Sequence, residues 1–158
     1  MDTNRQLLRL TLATLAYRAG KTLRGAPENF AEFRVSETTR TPGQILAHLC
    51  DLIDWGVSIA KGKEEWRNSA PLPWAQGSER FFAALKTFDD CLASDASQNA
   101  PVERLFQGPI ADSLTHVGQI AMLRRLAGSP VRGENYSRAE ITVGRVGADQ
   151  APPKREFD

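Results

Sequence analysis

Four stretches of this chain return apolar residues at helical spacing, and that pattern constrains its fold more than any other feature. The first covers residues 4–24, where Leu8, Leu12, Leu15, Ala19 and Leu23 share one face. The second has the clearest start. Thr41 can cap, Pro42 suits the first helical position, and Gln44 completes a capping box. Ile45, Leu49, Leu52, Ile53 and Ala60 then form its core face, which ends near Lys61-Gly62. The third runs from about Ser78 to Ser94 on Phe81, Leu85, Phe88 and Leu92. The fourth starts near Pro109, after a turn of helix at Val102 to Phe106, and stops before Gly128, a natural residue just past a helix end. Strand signals are scarce. The economical architecture is therefore all-α: a four-helix bundle with long connections and an irregular C-terminal tail.

The connections read less regularly. Gly25-Ala26-Pro27 ends the first helix and residues 28–40 connect it to the second. Residues 63–77 hold Trp66, Pro71, Pro73, Trp74 and Gly77, too many breakers for a helix, and the two tryptophans suggest a loop packed onto the body. Residues 129–158 mix glycine, proline and polar groups and read as a tail packed on the bundle of residues 1–128, one domain overall. Ile141-Thr142-Val143 suits a short extended piece; Glu134, Asn135 and Tyr136, just after the last helix, either close over the end of the bundle or, taken singly, read as a surface loop.

Composition narrows the partners. Twenty basic and nineteen acidic side chains leave a net charge of +1, without the basic bias of proteins that grip phosphate backbones, so no nucleic-acid partner is expected. The N-terminus leads into an amphipathic stretch rather than an apolar one, and no apolar run is long enough to span a bilayer. Cys50 and Cys91 form no CxxC pair and fall on separate helices, so both are expected reduced and mostly buried, with the cytoplasm as the expected location. Leu7, Leu10 and Tyr17 make a second stripe on the first helix, either more core or the surface of a homodimer.

The chain has two histidines, and both fall on faces expected to point inward. His116 follows Asp112 by one helical turn, on an arc shared with Ile120, Leu123 and Ala127. A polar pair in an apolar stripe costs folding energy unless it is hydrogen-bonded, ion-paired or ligating a metal. With His48 from the second helix, the pair would make a three-ligand face with open positions. The other reading is a satisfied core pair, with His48 partly exposed beside Trp55. Gln119 lies one turn beyond His116, either orienting a ligand from behind or bonding a neighbouring helix. Asp51, one turn after His48, is a candidate to support its ring or act as a general base, or else a half-exposed carboxylate. Gly20-Lys21-Thr22 lacks the earlier glycine of a phosphate loop, and Gly144-Arg145-Val146-Gly147 lacks the context of a dinucleotide fingerprint.

Two segments carry a resemblance. Thr41-Pro42-Gly43-Gln44-Ile45-Leu46-Ala47-His48-Leu49 resembles the second helix of the DinB-like superfamily of metal-binding four-helix bundles. His116-Val117-Gly118-Gln119-Ile120, followed by Leu123-Arg124 and Gly128, is similar to its His-x-Gly-Gln-[Ile/Leu] helix. The resemblance spans most of residues 5–128. It implies a divalent metal held by three histidines, which map here to His48, position 112 and His116. This chain departs at position 112, where it has aspartate; a carboxylate can still bind zinc, nickel, iron or manganese. Relatives of this kind include metal-dependent hydrolases and transferases that use low-molecular-weight thiols. The implied activity is hydrolysis, thiol transfer or isomerisation of a small organic substrate, with the metal activating water or a thiol. A rival expectation is a non-catalytic, dimeric stress-related or partner-binding bundle that has lost the ideal site.

Overall fold

The computed structural model describes residues 2–97 and 99–157, and it is an all-α bundle of four helices with one two-stranded ribbon. Helix α1 is Thr3–Leu23, α2 is Pro42–Ala60 and α3 is Trp74–Ala93. The fourth, α4, is one continuous run over 102–126, made of Val102–Leu105, a π-helical turn Phe106–Ile110 and Ala111–Leu126. Local chemistry sets the first two starts. The Asp2 carboxylate accepts from Arg5 N at 2.9 Å. The Thr41 hydroxyl accepts from Gln44 N at 3.2 Å while Gln44 Oε1 accepts from Thr41 N at 2.9 Å, a complete capping box. Helix α3 begins at Trp74 rather than Ser78. The Trp74 ring meets Phe30 edge-on at 5.2 Å and its Nε1 donates to Leu23 O at 3.2 Å, so tertiary contact overrides the breaker-rich composition.

Contacts between helices define the topology. Helix α1 runs antiparallel to α3, with Arg5 Nη1 donating to Ser94 O at 2.8 Å and Arg9 gripping Asp89 through two bonds of 2.8 Å. Helix α3 runs parallel to α2, since Gly77 faces Leu46 and Gly56 faces Phe88. Helix α2 runs antiparallel to α4: Gly56 faces Pro109, while His48 faces Asp112 and His116. Arg124 of α4 donates to Thr22 O and Arg24 O, so the C-terminal ends of α1 and α4 lie together. The cyclic order is α1-α3-α2-α4. Two sequential helices are thus parallel neighbours, and residues 61–73 must travel back along the bundle. Nineteen residues of α2 rise about 28 Å, which an extended segment of this length covers easily. This is why the second connection is long.

Phe81, Phe88, Leu12, Leu49, Ile53 and Ile120 are among the side chains fully enclosed between the helices. Helix α2 packs tightly on both α3 and α4 at Gly56, where an added Cβ would lie 2.6 Å from the Phe88 ring and 3.3 Å from Pro109. Pro109 itself lacks an N–H and would crowd the carbonyl one α-turn back; the wider π turn accommodates it. Ser113 Oγ donates to Pro109 O at 2.6 Å, deep in the core.

The tail is ordered by two short strands, β1 Gly133–Glu134 and β2 Glu156–Phe157, paired antiparallel, and by Val146 and Ala151 buried against the helices. Ile141–Val143 joins no strand. Glu134 is not on a surface loop: its side chain is 0% exposed, and Tyr17 and Lys21 of α1 both bond to it. Tyr17 is therefore covered by the chain's own tail, whereas Leu7 and Leu10 face outward. Cys50 and Cys91 are free and buried. Among the described residues, no helix is long and apolar enough to cross a membrane.

Candidate metal centre

The site begins with a stripe on α2. His48, Asp51, Trp55 and Ser58 are spaced by three or four residues, so they share one face. The connection 61–73 returns along this face, and the last three of these residues fasten it. The Asp51 carboxylate accepts from Ser69 N at 2.7 Å, from Ser69 Oγ at 2.6 Å and from Arg80 Nη2 at 2.9 Å. Trp55 Nε1 donates to Glu64 Oε1 at 3.0 Å, and Ser58 Oγ accepts from Glu65 N at 3.0 Å. Fastened in this way, the connection lays Trp66 over the fourth residue. The Trp66 ring meets His48 at 5.6 Å and Trp55 at 5.8 Å, both edge-on.

From the other side, α4 presents Asp112 and His116. His48 Nε2 stands 3.8 Å from Asp112 Oδ2, and His116 Nε2 stands 3.5 Å from Asp112 Oδ1. The two imidazoles meet edge-on with centroids 4.7 Å apart. One ligand atom from each of the three residues lies within 4.8 Å of the other two. These gaps are too long for hydrogen bonds. Ligands about 2.1 Å from a tetrahedral ion lie about 3.4 Å apart, so a set spread over as much as 4.8 Å would draw inward to hold one. The group can hold a metal ion.

The electronic state of the ligands also suits a cation. Gln119 Oε1 lies 2.7 Å from His116 Nδ1. A carboxamide oxygen can only accept, so this contact sets Nδ1 as the donor; in the neutral tautomer that leaves Nε2, which faces Asp112, as the ligating nitrogen. His48 is pushed below the usual histidine range, first by burial and then by the charges of His116 and Arg40, which outweigh Asp112 and Asp51. Its neutral, ligating form is favoured.

The location differs from the expected one. The cluster sits at the rim between α2 and α4, not within the core: the Asp112 side chain is 46% exposed, and His48 and His116 are partly so. The arc that held Asp112 and His116 with Ile120 and Leu123 passes from solvent to core along α4. Gln119 is exposed and bonds within its own helix rather than to a neighbouring one. Asp51 is buried and fully engaged with Ser69 and Arg80, so it holds the connection and is no half-exposed carboxylate. Asp54, beside it, shares Arg80 at 3.1 Å. Cys50 is no nucleophile; burial pushes its thiol up to about 12.

Two residues near the cluster carried no periodic signal. Trp66 was visible only as an aromatic in a breaker-rich segment. Arg40, at the end of the first connection, lines with His116 and Gln119 an open groove of about 620 Å³.

Compared with protein-family models, curated proteins and solved structures, the chain matches none.

Proposed function

We propose that the protein is a metal-dependent enzyme of the hydrolase or thiol-dependent transferase type, acting on a small organic substrate. The observation that carries this reading is the convergence of His48, Asp112 and His116 without hydrogen bonds among them, beside an open groove. Buried groups that serve only to stabilise a fold are normally closed onto one another, because an unmade buried bond costs about 1–3 kcal/mol; the two histidines here are mostly enclosed and still make no bond to Asp112. Here two imidazole nitrogens and a carboxylate lie within 4.8 Å of one another, and the Asp112 side remains open to solvent.

His48, Asp112 and His116 would hold one divalent transition ion: zinc, nickel, iron or manganese. When bound, such an ion supplies Lewis acidity and lowers the pKa of a water or thiol. A low-molecular-weight thiol is the co-substrate of the transferase branch. The chain's own residues prepare the site. Gln119 fixes the His116 tautomer, Trp66 shields one face of His48 from water, and Asp51 acts as a positioning residue by anchoring the segment that carries Trp66. The DinB-like resemblance agrees with His48 and His116 as ligands and with their placement on the second and fourth helices; Asp112 departs from its third histidine. Asp112 would reduce the charge of the loaded site by one unit relative to three histidines. A homodimer through Leu7 and Leu10 accompanies this proposal; a monomer in light scattering at micromolar concentration would remove it.

The test is elemental analysis of untagged protein purified without chelator, beside an Asp112→Ala, His116→Ala double variant. About one transition metal per chain, absent from the variant, is the expected result. No metal in either protein, even after adding zinc, nickel or manganese, would overturn the enzyme reading and leave a partner-binding bundle in its place.

A further inference from the structure

The groove beside the metal cluster has a composition of its own. It lies between the start of α2, the end of α4 and residues 34–40. Ile45 and Leu123 form buried parts of its surface, while Val35, Met122 and Leu126 border it as exposed large apolar side chains. Exposed apolar side chains are ordinary when scattered; three that share one depression with a buried apolar floor form a binding surface. The volume, about 620 Å³, falls in the range of small-molecule sites.

The wall formed by the first connection is built rather than loose. Arg34 Nη1 donates to Glu37 O at 3.2 Å and Thr39 O at 2.8 Å, and the Ser36 hydroxyl bonds those of Thr38 and Thr39 at 3.2 and 2.6 Å. This places Arg40 at the groove. Among the described residues Arg40 has no hydrogen-bond or ion-pair partner, although its charge reaches His48. Among the described residues no acidic side chain lines the groove; Asp112 stands behind its lining residue His116, 3.5 Å away. An apolar channel therefore carries one unneutralised guanidinium, and His116 and Gln119 lie on the same surface.

We infer that the groove binds a small molecule with an apolar body and a single carboxylate, the carboxylate pairing with Arg40. A guanidinium recognises a carboxylate through paired N–H donors, and the apolar walls supply affinity but no direction. This inference names the substrate class of the proposed enzyme. It rests on that reading for turnover, but not for binding.

The test is calorimetric titration of chelator-treated, metal-free protein with hexanoate, octanoate and 1-octanol. Octanoate is expected to bind about fivefold more tightly than 1-octanol, the scale of an exposed ion pair. Affinity should rise roughly fourfold for each added methylene between hexanoate and octanoate. Arg40→Gln should abolish the preference for the acid and spare 1-octanol. Leu126→Ser should weaken both octyl ligands alike. Both side chains are exposed, so neither change threatens the fold. Equal binding of octanoate and 1-octanol by the unsubstituted protein, or affinity independent of chain length, would overturn the inference. Octanoate selectivity in a protein that takes up no metal would uphold the groove while removing the enzyme reading. Metal uptake with no binding of either octyl ligand would do the reverse.

Discussion

Two polar clusters in this molecule use similar residues and reach opposite states. Beneath the tail, Glu134 accepts from Tyr17 Oη at 2.6 Å and from Lys21 Nζ at 2.9 Å, and Lys21 also meets Glu156 at 2.9 Å. The contacts to Glu134 are all short and its side chain has no exposure; only the outlying Arg132–Glu156 pair, at 4.0 Å, is long. Between α2 and α4, Asp112 stands 3.5 and 3.8 Å from two histidines and is half exposed. The first cluster is closed by its own members; the second is closed only if something enters it. A carboxylate between two nitrogen-bearing side chains is thus not diagnostic by itself. The distances separate a fastening from a binding site, because a buried pair must be well bonded to offset its desolvation.

The largest effect expected is on the closed cluster. Glu134→Ala would leave the Tyr17 hydroxyl and one side of Lys21 without partners inside the protein. It should destabilise the fold by about 3 kcal/mol, the low end for a broken buried pair because Glu156 remains with Lys21. For a chain of 158 residues this lowers Tm by roughly 6–12 °C. Thermal unfolding followed by circular dichroism would read it. A loss under about 1 kcal/mol would mean that the tail is not fastened by this cluster, and the contrast would fail.

The open cluster should respond to metal instead. Zinc at about one hundred times its Kd should stabilise the protein by about 2.7 kcal/mol, and His116→Ala should remove that gain. Gln119→Ala should leave the metal-free protein unchanged and weaken zinc binding roughly tenfold to a hundredfold, as for other residues that orient a ligating histidine. Equal zinc stabilisation of unsubstituted and His116→Ala protein would place the metal elsewhere.

The two clusters also differed in how far sequence alone reveals them. His48, Asp112 and His116 stand out because histidine is rare in this chain and Asp112 lies one turn from His116, a relation carried within one helix. The capping box of Thr41 and Gln44 is local too, and it forms as expected. Glu134 lies in a tail without periodicity, and its partners sit more than a hundred residues away on α1, so it reads as surface. The role of Asp51 is hidden for the same reason: its partner Ser69 belongs to a segment whose path follows from the parallel arrangement of α2 and α3. In that arrangement Gly77 packs on Leu46 and Gly56 on Phe88, close approaches that an apolar repeat does not encode. The composition of residues 63–77 hid the start of α3, since only packing on Phe30 decides it.

Charge makes a smaller distinction. Glu156 is held below the usual glutamate range, chiefly by its bond from Lys21. Its contribution is present above pH 4.5 and is lost as pH falls through its folded value. For Lys21, burial acts to lower the pKa, but the bonds to Glu134 and Glu156 prevail and raise it above 10.5. That contribution is full below pH 10.5 and is lost at higher pH. The tail fastening should therefore hold between these limits. Urea unfolding below pH 4.5 should show a shallower acid loss in Glu156→Gln than in the unsubstituted protein; identical slopes would show that Glu156 does not take part.

The smallest expected effect is the most discriminating. Asp112→Asn keeps the shape of the side chain and removes its charge. In metal-free protein Asp112 makes no hydrogen bond to either histidine and is half exposed, so the change should alter stability by less than about 1 kcal/mol. The same substitution removes an anionic ligand, so zinc should bind much more weakly. A stability loss of about 2 kcal/mol or more without metal would mean that Asp112 already serves the fold as Glu134 does. The open cluster would then be a second fastening, and its long distances would not mark a site.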